Sequence, residues 1–267
     1  MQLPIYQVDA FTDKLFGGNP AAIVPLKTWL SDELMQKIAS ENNLSETAFF
    51  VQSEKDQTSN RFHIRWFTPT IEVNLCGHAT LATAFVIFNV LKYAEQTILF
   101  DSKSGVLKVR KEGNWLELDF PAQAIVASDA PQGLIEGIGK QPIEIYRASD
   151  DYLLVYKSQK EIEEISPIFN TLKQVKARGV IITARAKSKR LDFVSRFFAP
   201  GSGIDEDPVT GSAHTKLVPY WANILGKNEL IAEQISARKG FLKCKLAGDR
   251  VLMAGKGKLF LKGKIIV

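Results

Sequence analysis

At 267 residues, 45% of them hydrophobic and 24% charged, the chain has the make-up of a globular protein and the length for two domains rather than one. Its net charge of +5 is scattered, and the densest basic run, Arg185 to Arg190, carries no aromatic side chain, which argues against nucleic acid as a partner. No apolar stretch is long enough to span a bilayer, no leader-like segment opens the chain, and Cys76 and Cys244 lack metal-type spacing. The expectation is a cytoplasmic protein with no membrane partner, disulfide, metal or cofactor.

Residues 3–10 and 21–26 alternate as strands around a Gly17-Gly18-Asn19-Pro20 turn. Ser31-Asp32-Glu33 predicts a helix start, with Leu34, Met35 and Ile38 facing inward and a stop near Asn42-Asn43. Glu46 falls between that helix and the strand Ala48-Phe49-Phe50-Val51, in the kind of connection that often presents functional side chains. Residues 62–67 read as a strand. From Gly77 the sequence is apolar nearly all round and predicts a helix buried on most sides. Strands at 97–101, 105–110 and 115–120 then suggest a curved sheet wrapped round it. Pro121 to Pro142 reads as an interdomain connection, which divides the chain into 1–125 and 126–267. The second part repeats the scheme: strands at 143–147 and 152–156, a helix over 160–175, strands at 179–184 and 192–198, and a helix from Gly211. Pro219 is expected to kink or end that last helix.

The second part also repeats the first in its residues. Arg65-Trp66-Phe67-Thr68-Pro69 leads into Cys76-Gly77-His78-Ala79, and Arg196-Phe197-Phe198-Ala199-Pro200 leads into Thr210-Gly211-Ser212-Ala213. A repeat of this length, present twice, predicts two related domains whose motif loops face one cleft. Each copy puts a glycine and a small polar residue at a helix start, where unpaired backbone N–H groups attract anions. Gly77, His78, Thr210, Gly211 and Ser212 are therefore candidate binding residues for a small anionic substrate. Asp207 is the choice within the acidic trio Asp205-Glu206-Asp207, and His63, inside a strand, reads as structural.

Asn42-Asn43-Leu44-Ser45-Glu46-Thr47-Ala48-Phe49, Cys76-Gly77-His78-Ala79-Thr80 and Glu206-Asp207-Pro208-Val209-Thr210-Gly211-Ser212-Ala213 together resemble the PhzF-like, phenazine-biosynthesis family of isomerases. The Gly18-Asn19-Pro20-Ala21-Ala22 stretch is similar too, which adds Asn19 to the substrate-binding candidates. The resemblance implies an α+β fold like that of diaminopimelate epimerase, two pseudo-symmetric halves each with a curved, mainly antiparallel sheet around a central helix. It also implies a homodimer, Glu46 as general acid/base, and His78, Asp207 and Ser212 lining the substrate pocket.

The repeat separates this reading from a two-thiol racemase. Cys76 corresponds to Thr210, Cys244 corresponds to Val109, and Glu46 corresponds to the region of Ala177, Arg178 and Gly179, which holds no acid. One acid in one half suits a cofactor-independent proton shift between two carbons of a carboxylate-bearing metabolite. Two alternatives stay open: a single-thiol enzyme using Cys76, whose pKa a helix start would lower, and a small-molecule binding protein without turnover.

Overall fold

The computed structural model describes residues 1–53 and 60–267, and the chain forms two units, Met1–Asp119 together with Met253–Val267, and Phe120–Leu252. In the first unit, β1 (Gln2–Ala10) and β2 (Asn19–Leu26) make a hairpin, and α1 (Asp32–Asn42) leads to β3 (Glu46–Gln52), which runs parallel to β2. Next come β4 (Arg61–Phe67), β5 (Glu72–Val73), the helix α2 (Gly77–Phe85), β6 (Thr97–Ser102), β7 (Gly105–Glu112) and β8 (Trp115–Pro121). β4 pairs antiparallel with β3, and along its other edge with β5 and, in parallel, with β6.

The second unit starts with β9 (Val126–Ala127) and α3 (Leu134–Ile138), so the segment read as a connection is structured. β10 (Glu144–Ala148) and β11 (Asp151–Val155) form a hairpin. After α4 (Gln159–Glu164) and α5 (Phe169–Leu172), β12 (Gly179–Arg185) runs parallel to β11. β13 (Phe193–Ala199), β14 (Ile204–Glu206), α6 (Gly211–Leu225), β15 (Glu229–Gln234), β16 (Gly240–Ala247) and β17 (Arg250–Gly255) complete it, with β13 paired to β12, β14 and, in parallel, β15. Strand for strand this is the pairing scheme of the first unit, and the expected α+β duplication holds.

Three expectations are corrected. The last strand, β18 (Gly257–Ile266), does not belong to the second half: it pairs antiparallel with β1 from Gln2↔Ile266 to Ala10↔Gly257. β9 takes the equivalent place beside β10. The helix expected over 160–175 is broken, because Pro167 lacks an N–H and biases Ser166 away from helical geometry; α4 stops at Ile165, whose ψ of 121° is extended. Pro219, by contrast, neither ends nor interrupts α6. The carbonyl it leaves without a helical donor, that of Thr215, accepts from the Gln123 N–H at 3.0 Å.

In each unit the apolar helix is enclosed as its composition requires. Ala79, Leu81, Ala82 and Ala84 of α2 are buried against β1, β2, β3 and β18. Beyond Phe85 the helix loosens into a π turn, Val86–Val90. Ser31 caps α1 by accepting from the Leu34 N–H, and Met35, Ile38 and Ala39 pack on the apolar side of β2 and β3 while Leu34 stays half-buried. The second unit has its own core of Leu154, Ile162, Leu172, Ile182 and Phe198.

The repeated arginines prove structural. Arg65 makes a bidentate pair with Glu72, and Arg196 makes the matching pair with Glu206, each at 2.8 Å from its Nε. Both pairs lock the short strand that leads into a motif helix. That use accounts for Glu206 within the acidic trio. His63 lies 3.9 Å from Asp101, in keeping with a structural role.

Candidate active site

In the first unit, local chain geometry brings Glu46, Cys76, His78 and Asn19 together. α1 ends with Asn43 in the left-handed conformation at φ 49°, its N–H donating to the Ala39 carbonyl, so the chain reverses within a few residues. The Asn42 side chain then donates to Thr47 Oγ1 at 3.0 Å, which fixes the first residues of β3, and Glu46 pairs with Ala21 of β2. Asn19 opens β2 directly after Gly18, where φ is +61° and a Cβ would lie 2.1 Å from the Ala10 carbonyl oxygen; only glycine fits. Cys76, Gly77 and His78 form the start of α2, and Thr80 ties that turn by donating its hydroxyl to the Cys76 carbonyl at 2.6 Å.

His78 Nε2 approaches Glu46 Oε2 at 3.1 Å, and both side chains are largely buried, 7% and 14% exposed. The contact is that of an ion pair, and among the described residues Glu46 Oε2 has no aligned hydrogen-bond donor. On its other side His78 Nδ1 lies 3.3 Å from the Asn19 amide and 3.5 Å from Cys76 Sγ. Burial disfavours charge on His78, but Cys76 and Glu46 beside it outweigh that, and its pKa is raised well above the usual value. The imidazolium presents N–H on both ring nitrogens, so Asn19 serves it best with its amide turned to offer Oδ1. Cys76 behaves opposite to the expectation from its helix start: burial, then the Glu46 carboxylate, push its thiol up to about 11. A groove of about 350 Å³ lined by Ile5, Gln7, Ala22, Leu44 and Leu261 contains none of these groups.

In the second unit, Thr210 stands before α6 as Cys76 stands before α2. Its hydroxyl does not cap the helix; it donates to Asp207 Oδ2 at 2.5 Å and accepts from Gln234 Nε2 at 3.1 Å. Gln234 also accepts from the Thr210 N–H at 2.9 Å and donates to the Asp207 carbonyl at 2.8 Å. Asp207 therefore braces the loop whose end is the α6 start at Gly211. Ser212, the counterpart of His78, accepts from Arg178 Nη2 at 3.1 Å. Arg178 pairs in turn with Asp151, which also holds Lys216 Nζ at 2.8 Å; Asp151 and Lys216 are buried almost completely. His214 is a packing residue: its Nδ1–H donates to the Thr210 carbonyl at 2.9 Å, its ring lies against Phe193, and burial lowers its pKa to about 4.

Strand register shows why the two units differ. Phe49 lies opposite Arg65 and Ile182 opposite Arg196, and counting back three residues along each strand puts Gly179 where Glu46 stands. A Cβ on Gly179 would fall 2.1 Å from the ring of Phe197, so a side chain here requires that buried ring to move. The acid is confined to the first unit by packing.

Sequence reasoning reached Glu46, His78, Asn19, Asp207 and Ser212 but not Asp151, Arg178, Lys216 or Gln234. Lys216 gave one signal: it is the sole Asp, Glu, Lys or Arg between Gly211 and Leu225, four residues after Ser212.

The phenazine biosynthesis-like protein family (PhzC-PhzF) matches residues 8–263. An uncharacterised isomerase of Pseudomonas aeruginosa is 51% identical over 265 residues, 99% of each chain. The crystal structure of a PhzF-family protein from Enterococcus faecalis, 44% identical, matches all of both chains with a TM-score of 0.94. A hydroxyproline epimerase from Agrobacterium vitis shares the fold alone, at 10% identity and a TM-score of 0.62 over 99% of this chain and 92% of its own. No helix among the described residues is long and apolar enough to cross a membrane. With a family match spanning nearly the whole sequence and named isomerases among its relatives, the chain belongs to the phenazine biosynthesis-like family of isomerases.

Proposed function

We propose that this isomerase catalyses a proton shift on a small carboxylate-bearing metabolite using side chains alone, with Glu46 as general acid/base. The observation that carries the reading is the buried Glu46 Oε2, 3.1 Å from His78 Nε2 and, among the described residues, without an aligned hydrogen-bond donor; the Cys76 and Glu46 groups beside His78 raise its pKa and favour its charged form. A carboxylate in that state has a free lone pair for a substrate C–H proton. Glu46 takes the proton from one carbon, becomes a carboxylic acid, and returns the proton to another carbon within reach; no net proton is gained or lost. His78 opposes the negative charge that develops on the substrate, and Asn19 orients its ring. Within the first unit the first turn of α2, at Gly77, has backbone N–H groups to receive an anionic oxygen; within the second, the first turn of α6, at Gly211 and Ser212, has the same, braced by Thr210 and Asp207. The single-thiol alternative is weakened by the raised pKa of Cys76.

The test is proton NMR in D2O on a panel of small unsaturated and amino carboxylates. The wild type is expected to isomerise one compound, with deuterium entering the product only in so far as protonated Glu46 exchanges with solvent before it returns the proton. Glu46→Gln is expected to lose about 10²-fold or more of that rate with an unchanged melting temperature. A Glu46→Gln enzyme of undiminished rate overturns the assignment.

A further inference from the structure

Each unit has a polar contact at the same place, and the two are of opposite chemistry. In the first, Glu46 meets His78 at 3.1 Å. In the second, Gly179 stands where Glu46 does, and the residue before it, Arg178, reaches the counterpart of His78 instead: its Nη2 donates to Ser212 Oγ at 3.1 Å. A guanidinium and a hydroxyl thus take the place of a carboxylate and an imidazole.

That guanidinium is fixed in advance. Asp151 takes the Nε–Nη2 side of the fork, at 3.0 Å from Nε, and Cζ lies over the ring of Phe197, 5.2 Å from its centroid. Asp151 is itself held by Lys216 Nζ at 2.8 Å. Two donors are left over beside Nη2. Nη1 has no partner among the described residues. Ser212 Oγ accepts from Arg178 and so keeps its own proton for an acceptor, none of which is found among the described residues. Charge points the same way. Arg178 and Lys216 share one buried carboxylate, that of Asp151. Asp150 lies 3.5 Å from Arg178 Nε but is 57% exposed, so water screens it. The cluster keeps an unmet positive charge, and the Arg178 side chain, 36% exposed, gives an anion access to it.

We infer that Arg178 and Ser212 are the carboxylate-binding pair of the substrate site: one carboxylate oxygen accepts from Ser212 Oγ–H and the other from Arg178 Nη1. A planar guanidinium with a hydroxyl beside it matches the two oxygens of a planar carboxylate, and the Asp151–Lys216 pair behind it holds the donors in place. That this carboxylate belongs to the isomerised molecule rests on the proposed reaction, whereas the binding of a carboxylate here does not.

Saturation-transfer NMR titrations of the full chain with propanoate, succinate and benzoate, each against its amide, test the pair without knowledge of the substrate. At least one acid is expected to bind saturably and its amide about tenfold or more weaker. Arg178→Lys, which keeps the charge but loses the fork, is expected to weaken the acid about tenfold. Ser212→Ala leaves the ion pairs intact, so it is expected to weaken the acid similarly with an unchanged melting temperature; a merely structural arginine predicts no such loss. Absence of saturable binding, equal binding of acid and amide, unchanged affinity in Ser212→Ala, or displacement of the acid by sulfate at equal concentration overturns the assignment. Failure of the general-base reading appears instead as undiminished isomerisation by Glu46→Gln, which leaves the carboxylate result standing.

Discussion

Asp151→Asn tests the buried charge network that holds Ser212. Asp151 is fully buried, and its carboxylate is the only anionic partner, among the described residues, shown for Lys216, whose side chain is 2% exposed. Without it the ammonium keeps the Ser212 carbonyl at 3.3 Å and little else. Breaking one side of a buried pair costs about 3–5 kcal/mol because the surviving charge stays desolvated. At about 2–4 °C per kcal/mol for a chain of this size, the melting temperature should fall by roughly 10 °C. Lys216→Met in the same background removes the stranded charge and should recover part of the loss, because the uncompensated buried ammonium is then gone. Thermal and urea unfolding of the two single variants and the double variant measures the coupling directly. A loss below about 1 kcal/mol for Asp151→Asn, or a double variant no more stable than Asp151→Asn alone, refutes the reasoning.

Two further outcomes follow from the buried histidine and the buried thiol. His214 has a folded-state pKa of about 4 against 6.5 for an unperturbed imidazole, so the unfolded chain takes up the proton first. Its effect on stability is absent above about pH 6.5 and grows as the pH falls towards 4, to a loss of about 3 kcal/mol. Urea unfolding across that range should show His214→Gln with a flatter pH dependence; an identical slope refutes the assignment. Cys76, at about 11, should react slowly with iodoacetamide near neutrality and faster as the pH rises, monitored by mass spectrometry. Rapid alkylation of Cys76 near neutrality with loss of turnover restores the thiol mechanism.

What the sequence conveyed and what it hid have physical causes. The Arg65 and Arg196 motifs were legible because each arginine, its aromatic neighbours and its acid form one local device, repeated where the pairing repeats. The asymmetry at Glu46 was legible as the lack of an acid near Gly179; the steric reason, the ring of Phe197, lies on the neighbouring strand and needs coordinates. Asp151, Arg178 and Lys216 come from a strand, a loop and a helix far apart in sequence, so no spacing rule joins them. Cys76 misled because a helix start suggests a reactive thiol, whereas burial and the Glu46 carboxylate outweigh that effect. The fate of β18 was hidden for a similar reason: its sequence reads as the last strand of the second half, and nothing local names β1 as its partner.

That strand bears on how the protein is made. The second unit is one continuous stretch, residues 120–252, and all of it is synthesised before the last strand of the first unit. β1 then still lacks the neighbour along which Gln2 to Ala10 are paired, because β18 is translated about 250 residues later. The usual vectorial order, N-terminal domain first, therefore cannot complete the first unit before the second has been synthesised. Until synthesis reaches Ile266, β1 has one strand edge open, and the nascent first unit is where a chaperone, or a misdirected strand from another chain, has its opportunity.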